Sequence, residues 1–332
     1  MNEFDIIADY FKRLTMGRAE SVGLQDDVAV LPVPAGRELV VSTDTLNAGT
    51  HFLKDETPEN IARKALRVNL SDLAASGADP LCYQLSMAYP QRPQPEWLKA
   101  FTGALLEDQK AFKIFCSGGD TTSIHGVLSI SITIIGTVPA GKAVHRSGAK
   151  AGDMIVLTGT VGDAALGLHA AWNGREKIYP GAVARHKAPD PRVSAAALVR
   201  DHARAAVDVS DGLLADLGHI CESSHLGAEI RLAGARDAPG SAAKPRMALS
   251  EEVNKALVSA EITMEDVLSG GDDYELVLAV APGAVAALLA ELKKLSVPAQ
   301  VIGRFTEGDP VVQVLDSSGA KLALKATGWQ HF

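Results

Sequence analysis

Apolar residues along the chain follow two patterns. Short, nearly continuous apolar runs predict buried β-strands, whereas longer segments with apolar positions three or four residues apart predict amphipathic helices. Thr57-Pro58 is a favourable helix start, because Thr caps a helix and Pro suits its first position. Over residues 1–139 the predicted elements are a helix at 4–14, strands near 28–33 and 38–42, a helix from 57 to 77, a strand at 81–88, a helix at 95–112, a strand ending in CSGGDTT and the strand VLSISITIIGTV.

The alternation restarts after residues 140–152, a stretch containing glycine and lysine. The predicted elements there are strand MIVLTG, helices at 163–172 and 192–202, strand AAVDVS, helix DGLLADLGHICE, strand GAEIRL, a polar loop at 233–246, helices in the 250s and 260s, strand ELVLAVA, a helix at 285–295 and terminal strands. Mixed strands and helices predict α/β or α+β lobes. Because 332 residues exceed the roughly 100–200 of one domain, we expect two domains, 1–142 and 143–332.

Composition and charge exclude several classes of protein. Hydrophobic residues make up 47% and charged residues 22%, as in an ordinary soluble globular protein rather than a disordered one. The net charge of −8 would repel a nucleic-acid backbone, so nucleic acid is not an expected partner. No apolar run reaches the length of a membrane span, about 18 residues. The first residues, MNEFDIIADYFKRL, are acidic and amphipathic, unlike a signal peptide. We therefore expect a cytoplasmic protein without membrane contacts.

The three cysteines, Cys82, Cys116 and Cys221, are an odd number and include no CxxC spacing. This arrangement argues against a disulfide framework and against a zinc site. We expect all three thiols to be reduced and mostly buried.

Aspartates stand repeatedly at the predicted ends of elements or in tight glycine turns. Asp and Gly favour turns and helix starts on their own, so each motif taken singly has that simpler explanation. Together the motifs suggest a ligand site, because ligands of open α/β sheets gather at strand ends. The motifs are QDD (Asp26, Asp27), STD (Asp44), NLSD (Asp72), GGD (Asp120), DVSD (Asp208, Asp211) and GGDD (Asp272, Asp273).

Asp72 is the most informative of these aspartates. It lies about one turn before the predicted helix end, where its charge faces the negative end of the helix dipole unless a cation is near. Asp208 closes a strand and Asp211 precedes a helix, so both can converge on one point. Only one of Asp26 and Asp27 should reach it, because neighbouring side chains of an extended segment point opposite ways. Such oxygen ligands predict Mg²⁺ and, at its open positions, a polyphosphate.

Other phosphate or metal sites fit the sequence less well. A calcium-binding module would need a D-x-[DN]-x-[DN]-G loop ending in Glu, which is absent. GTVPAGKA, residues 136–143, fits G-x-x-x-x-G-K, but Ala143 stands where a P-loop needs a hydroxyl and the following residues do not predict a helix. TGTVGD, residues 158–163, is a weak phosphate-loop candidate for which a packing role is the alternative.

Several motifs carry a resemblance that covers nearly the whole chain. The chain resembles the thiamine-monophosphate kinases, ATP-dependent enzymes of the aminoimidazole-ribonucleotide-synthetase-like superfamily, in the order and spacing of QDD, STDTLNAGTHF, NLSDLAASGADP, GGDTT, RSGAKAGD, DVSDGL, GGDDYEL and GWQHF. The resemblance implies a two-lobed α/β (α+β) fold and a homodimer. The N-terminal α/β domain would bind ATP and Mg²⁺ and form an intersubunit β-barrel on dimerisation, and the C-terminal α/β domain would complete an active-site cleft. The implied reaction transfers the ATP γ-phosphoryl group to thiamine phosphate, giving thiamine diphosphate.

The resemblance also implies roles for individual residues. The expected Mg²⁺ ligands are Asp27, Ser42, Thr43, Asp44, Asp72, Asp120, Asp208 and Asp211. The expected ATP contacts are Gly119, Asp120, Arg146 and Ser210, and the expected substrate contacts are His51, Asp272 and Trp329. Asp272 stands where relatives carry Glu, so its side chain is one methylene shorter. Simpler roles stay open for His51, as a solvated loop residue, and for Trp329, as a packing residue.

The acceptor determines the expected mechanism. A phosphate monoester is already ionised near neutral pH, so direct in-line transfer needs no strong general base. Two alternatives remain: another ATP-using member of the superfamily, and a metal- or nucleotide-binding protein without catalysis. A selenophosphate synthetase needs a reactive Cys near its N-terminus, whereas the first cysteine here is Cys82. The hydrogenase-maturation relative ends in Cys, whereas this chain ends in GWQHF.

Overall fold

The computed structural model describes residues 3–232, 246–316, 318–324 and 328–329. The chain divides into two compact units, one comprising Met1–Leu73 and Ala78–Lys142, the other comprising Ala74–Gly77 and Ala143–Phe332. Each unit combines helices with a β-sheet, which confirms the predicted α/β fold class. The polar loop expected at 233–246 lies outside the described residues, apart from its last residue.

The first unit contains a four-stranded sheet and two long helices. Its elements are α1 (Glu3–Ile6), a π-helical turn (Ile7–Phe11), 3-10 turns (Lys12–Thr15 and Ala19–Leu24), β1 (Arg37–Asn47), α2 (Pro58–Ala75), β2 (Asp79–Tyr89), α3 (Pro95–Phe112), β3 (Phe115–Ser123) and β4 (Ser129–Pro139). The strand order is β1-β4-β2-β3. β2 and β3 are parallel, and β4 runs antiparallel to β1 and β2. β1 and β3 are therefore the two edges of the sheet.

The two faces of this sheet have different surroundings. On one face Ile132 and Ile134 of β4 are at most 1% exposed. Helix α2 covers this face so closely that a Cβ on Gly136 would lie 3.0 Å from the Leu73 side chain. On the other face Val41 is 57% exposed. Among the residues that the structure describes, helix α2 thus covers one side of the sheet, and side chains such as Val41 are exposed on the other side, here called the open face.

The strand predicted near residues 28–33 is wrong. Residues 25–36, all within the described part of the chain, contain neither helix nor strand, and Val28 and Val30 are 61% and 69% exposed. Pro32 and Pro34 explain the difference, because proline has no backbone N–H to donate to a sheet. The apolar alternation there describes exposed side chains rather than a buried strand.

The second unit contains a six-stranded mixed sheet. Its elements are β5 (Met154–Thr158), α4 (Asp163–Trp172), α5 (Pro180–Lys187), a 3-10 turn (Val193–Ala195), α6 (Ala196–His202), β6 (Ala203–Asp208), α7 (Leu213–Ser224), β7 (Gly227–Arg231), α8 (Glu251–Val258), α9 (Met264–Ser269), β8 (Leu276–Val280), a 3-10 turn (Pro282–Ala284), α10 (Val285–Lys294), β9 (Ala299–Thr306) and β10 (Val312–Leu315). The strand order is β10-β7-β9-β5-β8-β6. Helix α5 was not predicted.

Hydrophobic cores cover both faces of the second sheet. Ile155 and Leu157 of β5 belong to a large core with residues of α4, α5, α7, α8 and α9. Val156, between them in sequence, belongs to a separate core with residues of α6 and α10. Because successive strand residues point to opposite faces, this sheet lies between two helical layers. The continuous apolar run MIVLT reflects burial on both sides.

Two predictions from composition have structural counterparts. Cys82, Cys116 and Cys221 are all buried, which confirms that expectation. Burial raises the pKa of Cys116 to about 12. Among the described residues, none of the helices combines the length and the apolar composition needed to span a membrane.

Candidate functional site

Ser42, Asp44 and Asp72 lie on the helix-covered face of the first unit. The Ser42 hydroxyl donates a hydrogen bond to Asp72 Oδ2 at 2.5 Å, which joins β1 to α2. The Asp44 backbone N–H donates to Asn69 Oδ1 at 3.2 Å, and Asn69 Nδ2 donates to the Ala65 carbonyl at 2.9 Å. Ser42 and Asp44 are two residues apart in one strand, so their side chains share a face. This face gathers a hydroxyl and two carboxylates, which suit a hard cation.

Ser42 and Asp44 lie inside β1, whereas the sequence predicts a strand that ends at residue 42. β1 pairs with β4 over its whole length, Arg37–Asn47. Thr43 and Thr45 continue the strand on the open face, where Thr43 shares a hydrogen bond with Thr133 at 2.9 Å and Thr45 shares one with Ser131 at 2.7 Å. The Thr43 side chain therefore points to the face opposite that of the carboxylates.

Asp120 lies at the opposite edge of the same sheet. Thr45 of β1 pairs with Ser131 of β4. Ser131 pairs in turn with Ser86 of β2, and Ser86 pairs with Asp120 of β3. Three strand spacings separate the two edges, about 14 Å at about 4.8 Å each. Asp120 is exposed on the open face, so one chain does not bring it to the carboxylates of β1 and α2.

The other predicted residues of the first unit lie in loops or in a tight strand contact. Asp27 is exposed in the irregular segment before β1. His51 Nδ1 accepts the Asn47 backbone N–H at 3.0 Å, so in the neutral ring Nε2 carries the proton. A Cβ on Gly119 would lie 1.8 Å from the Leu85 carbonyl oxygen, so the pairing of β2 with β3 requires glycine there.

Three chain segments meet at the turn after β6 in the second unit. Asp208 ends β6 and is buried. The Ser210 carbonyl accepts the Asp272 backbone N–H at 2.8 Å, and the Asp211 carbonyl accepts the Trp329 backbone N–H at 2.9 Å. Five residues singled out from distant motifs are therefore neighbours in space. Trp329 keeps 58% of its surface exposed, so its ring remains accessible to a ligand.

Asp272 has an unusual backbone conformation. Its φ of +71° lies in the left-handed region, which few residues other than glycine adopt. The Tyr274 hydroxyl donates to its carboxylate at 3.2 Å, and His186 Nδ1 lies 3.6 Å from Oδ2. His186 is nearly buried and comes from α5, whereas the Asp272 side chain is 28% exposed. The Asp272 carboxylate thus contacts Tyr274 and His186 and keeps an exposed part that can bind a ligand.

Asp273, its neighbour, has a different role. Its carboxylate accepts the backbone N–H groups of Gly162 at 2.7 Å and Ala164 at 3.0 Å, at the start of α4. Burial raises the pKa of Asp273 to about 7, while the two amide hydrogen bonds and the charge of Arg185 oppose the rise. A carboxylate of the chain itself thus occupies the helix start that follows TGTVGD. This contact favours the packing role for that turn over phosphate binding.

Glu275 is fully buried and paired with two arginines. Arg185 Nη2 lies 2.6 Å and Arg192 Nη2 lies 2.5 Å from its Oε1, and the Thr158 hydroxyl donates to Oε2 at 2.6 Å. A buried charge must be paired in this way to be tolerated. The network joins α5 to the start of β8, the strand that follows the GGDDYE motif.

Asp216 is a buried carboxylate that the sequence-based predictions missed. Its Oδ2 accepts the backbone N–H groups of Asp211 at 3.0 Å and Gly212 at 3.1 Å. Burial raises the pKa of Asp216 to about 7, and the negative charge of Asp211 adds to the rise. The positive charge of Arg146 acts in the opposite direction. Arg146, the expected nucleotide contact, therefore lies within electrostatic reach of this turn.

The donor groups suit magnesium, although they do not form a ready-made cluster. Within residues 3–232, 246–316, 318–324 and 328–329, no three His, Cys, Asp or Glu side chains are grouped closely enough to hold a metal ion. Mg²⁺ does not need such a cage, because it commonly uses one or two carboxylates and completes its shell with water and substrate phosphates. The Ser42–Asp72 pair and the Asp208–Asp211 turn each supply oxygen ligands of that kind.

Comparisons with known proteins identify the family of both domains. The AIR synthase related protein N-terminal domain matches residues 25–138, and the AIR synthase related protein C-terminal domain matches residues 150–315. Thiamine-monophosphate kinase of Escherichia coli (strain K12) is 40% identical over 335 residues, covering 99% of this chain and 98% of its own length.

Solved structures give the same result. Thiamine-monophosphate kinase from Stenotrophomonas maltophilia K279a is 35% identical with a TM-score of 0.82, over 95% of this chain and 97% of that chain. AaThiL complexed with AMPPCP and TMP is 27% identical with a TM-score of 0.76, over 99% of this chain and 97% of that chain. With both domains matched and full-length relatives at this identity, the chain belongs to the thiamine-monophosphate kinase family of AIR synthase related proteins.

Proposed function

We propose that this protein transfers the γ-phosphoryl group of ATP to thiamine phosphate and releases thiamine diphosphate and ADP. Family membership supports the reaction, and a relative has been solved with AMPPCP and TMP bound. The structural observation that carries the proposal is the meeting of the 208–212 turn with Asp272 and Trp329 in the second unit. There a carboxylate and an exposed indole ring lie beside the turn expected to bind nucleotide phosphates.

Magnesium is part of this proposal. When bound, Mg²⁺ would neutralise the phosphate charges of the two substrates, which otherwise repel each other. The residues proposed to hold the ions are Asp27, Ser42, Thr43, Asp44, Asp72, Asp120, Asp208 and Asp211. Thr43 would use its backbone carbonyl, because its side chain points to the opposite face. On the helix-covered face Ser42 and Asp72 already bond to each other. Asn69 holds the backbone of Asp44, so these ligands are oriented before any substrate arrives.

The remaining predicted residues are proposed to bind the substrates. Gly119, Asp120, Arg146 and Ser210 would contact the ATP phosphates, and Arg suits this because its forked N–H groups match phosphate oxygens. His51 would donate from Nε2 to the thiamine phosphate, consistent with the bond that Nδ1 accepts. Asp272 would face the thiazolium cation, and Trp329 would stack against its ring.

The chain's own residues then need only position the two substrates. The acceptor oxygen is ionised near neutral pH, so no side chain has to remove a proton from it. Catalysis in this proposal is in-line placement of that oxygen together with stabilisation of the developing charge. In this scheme residues 1–142 bind ATP and magnesium and dimerise, and residues 143–332 complete the site.

A homodimer is proposed from the open face of the first sheet. Val41 and Leu39 on β1 are 57% and 41% exposed, and Val28 and Val30 in the irregular segment before β1 are also exposed. Exposed apolar side chains on one face of a sheet are typical of a contact surface, which we propose binds a second copy of this chain. Two such faces closing into a barrel would bring the β3 edge of one copy, with Asp120, towards the β1 edge of the other, with Ser42 and Asp44. Because Asp120 points to the open face and Ser42 and Asp44 point to the helix-covered face, Asp120 of the second copy would hold a different magnesium ion of the same site across that edge.

A cytoplasmic location is also proposed. ATP is the expected phosphoryl donor, and Cys82, Cys116 and Cys221 are free and buried. Free thiols of this kind persist in reducing compartments.

A coupled assay of ADP release tests the reaction. Thiamine phosphate should support ADP release in the presence of Mg²⁺, whereas free thiamine and aminoimidazole-type ribonucleotide precursors should not. Faster release with a ribonucleotide than with thiamine phosphate would contradict the proposal and favour another superfamily activity.

Two variants locate the site in the same assay. Asp44→Asn should abolish turnover without unfolding the protein, because it removes a charged ligand from a half-buried, already ordered position. Lys142→Ala should leave turnover near the wild-type value, because Lys142 is exposed in the turn after β4. Loss of activity in Lys142→Ala alone would revive the P-loop interpretation of GTVPAGKA.

A further inference from the structure

The turn before α7 is held by a carboxylate from within the helix. The residue before the helix is Gly212, which has no side chain to act as a cap. Asp216, one turn further along, reaches back and accepts the backbone N–H groups of Asp211 and Gly212, both of which precede the helix, through Oδ2. Its other oxygen, Oδ1, is buried and accepts no hydrogen bond from the described residues.

The chain path of this turn is fixed by close contacts on its other side. Gly212 has a φ of +120°, and a Cβ there would lie 2.7 Å from the Ser269 carbonyl group. The Asp211 carbonyl accepts from the Trp329 backbone N–H at 2.9 Å. The Asp211 peptide is therefore held at its N–H by Asp216 and at its C=O by the C-terminal segment.

A neutral acceptor would be enough if helix capping were the only task. Ser, Thr or Asn caps helices well, and none of them leaves a buried charge. Asp216 is instead fully buried and lies close to another carboxylate, Asp211, which makes its charge costly. The two hydrogen bonds from the backbone N–H groups of Asp211 and Gly212 offset part of this cost. The carboxylate thus ties the helix to the backbone of the turn.

We propose that Asp216 is a positioning residue that holds the Asp211–Gly212 turn for a nucleotide bound with magnesium. The inference rests on the proposed function, because Asp211 is one of its proposed magnesium ligands. Asp216 itself touches neither substrate. Its Oδ2 fixes the backbone of Asp211, and with it the position from which the Asp211 carboxylate would reach a metal ion.

Two variants separate the acceptor oxygen from its charge. Asp216→Asn keeps one oxygen as an acceptor for the two backbone N–H groups but removes the charge of the carboxylate. Asp216→Ala removes both. Glu252→Ala is a matched control, since Glu252 also accepts two backbone N–H groups at a helix start, from Gly181 at 3.1 Å and Ala182 at 2.7 Å. It caps α5 and lies in neither the turn nor the proposed phosphate site.

The first measurement is amide hydrogen exchange of the Asp211 and Gly212 backbone in metal-free, nucleotide-free protein. Asp216→Ala should speed exchange at these amides by about tenfold, the factor expected when a charge-assisted hydrogen bond is lost. Asp216→Asn should stay close to wild type. Unchanged protection in Asp216→Ala would overturn the claim that Asp216 holds the turn.

The second measurement is binding of a fluorescent non-hydrolysable ATP analogue as a function of Mg²⁺ concentration. The Mg²⁺ midpoint should rise by about tenfold in Asp216→Ala and by a smaller factor in Asp216→Asn. Glu252→Ala should lower the melting temperature without moving the midpoint. If both Asp216 variants lower the melting temperature and keep the wild-type midpoint, Asp216 only caps a helix and the inference fails.

The two measurements also distinguish this inference from the proposed function. If the wild-type protein binds the analogue but does not phosphorylate thiamine phosphate, the proposed acceptor is wrong while the role of Asp216 stands. If Asp216→Ala keeps both its amide protection and its Mg²⁺ midpoint while wild-type kinase activity is present, the role of Asp216 is wrong and the function stands.

Discussion

Alternation along one strand decides which polar residues can act together. Ser42 and Asp44 point towards α2, whereas Thr43 and Thr45 between and beside them point to the open face. A run of adjacent polar residues such as STDT is therefore two sets with different surroundings. The first set is oriented towards Asp72, and the second is available to another surface.

Asp273 gives a pH dependence that can be measured on the metal-free protein. Burial raises its pKa to about 7 from an ordinary value of 3.8. Its contribution to stability is therefore fully present below about pH 4 and is lost as pH rises through about 7, by up to about 1.4 kcal/mol per pH unit within that window. Asp273→Asn cannot titrate. In urea unfolding, wild type should lose stability relative to this variant between pH 5 and pH 8.

The comparison with Asp273→Asn isolates one group, since the other titrating residues are common to both proteins. The amide also loses one of the two acceptors for Gly162 and Ala164, which lowers the variant's stability by a similar amount at every pH. A difference between the two unfolding free energies that stays constant from pH 5 to pH 8 would contradict the assigned pKa direction.

Individual residues also show what sequence patterns can and cannot reveal. Asp44, Asp72, Asp208 and Asp211 are predicted as site residues because each stands near a predicted element end or in a tight turn. Asp216 does not, but it could have been noticed because it lies on the apolar side of α7 with Leu213, Leu217 and Ile220, all fully buried. Its partners could not be predicted, because they depend on a turn that folds back on the helix.

Glycine at position 119 sets how closely two strands can approach. A Cβ there would overlap the Leu85 carbonyl oxygen at 1.8 Å, and backbone atoms cannot move aside without breaking the β2–β3 pairing. Gly103 in α3 is the opposite case, because a Cβ there meets no atom within 4 Å. The two positions thus form a matched pair within one unit.

Gly119→Ala should destabilise the first unit strongly and Gly103→Ala should stabilise it. The first change forces the edge strand β3 away from β2, at a cost of at least about 2 kcal/mol. The second replaces glycine by the best helix former in a helix interior and should add about 0.5–1 kcal/mol. Thermal melting of both variants checks the prediction, and equal melting temperatures would contradict the close contact at Gly119.

Helices and strands could be predicted where an element is buried on both sides or where its apolar positions repeat strongly. β5 was predicted from an apolar run, because both its faces are buried in cores. The same type of pattern gave a wrong prediction at 28–33, where Pro32 and the following Pro34 prevent pairing. Helix α5, PGAVARHK, was not predicted, because eight residues are too few to show a helical repeat of apolar positions. It nevertheless places His186 beside Asp272. Short helices depend on the core that receives them, which local sequence does not specify.

At the level of the whole molecule, a single chain leaves the proposed ligand set incomplete. Asp120 is at the β3 edge of the first sheet, and Ser42 and Asp44 are at its β1 edge. A rigid sheet cannot bring its two edges together, so the shared use of these residues requires another copy. Dimerisation is then a condition for activity in the proposed function, in addition to covering apolar surface.

Mixing two inactive variants tests this arrangement. Asp44→Asn and Asp120→Asn should each be inactive alone. In a mixed dimer one site receives both defects, and the other receives an intact Asp44 from one copy and an intact Asp120 from its partner. After random exchange of subunits, half of the dimers are mixed and each has one working site of two, so activity should recover to about a quarter of wild type.

A second mixture distinguishes this sharing from any general effect of mixing. Asp44 and Asp72 lie on the same face of one unit. Asp72 of α2 accepts a hydrogen bond from Ser42 of β1, and the backbone N–H of Asp44 donates to Asn69 of α2. In a mixed dimer of Asp44→Asn and Asp72→Asn every site keeps one defect, so no activity should return. Recovery in this mixture, or none with Asp120→Asn despite confirmed subunit exchange, would mean that each chain supplies its own ligands. The proposed barrel would then not be needed to assemble the site, because the residues at the two edges of the sheet would not contribute to a shared site.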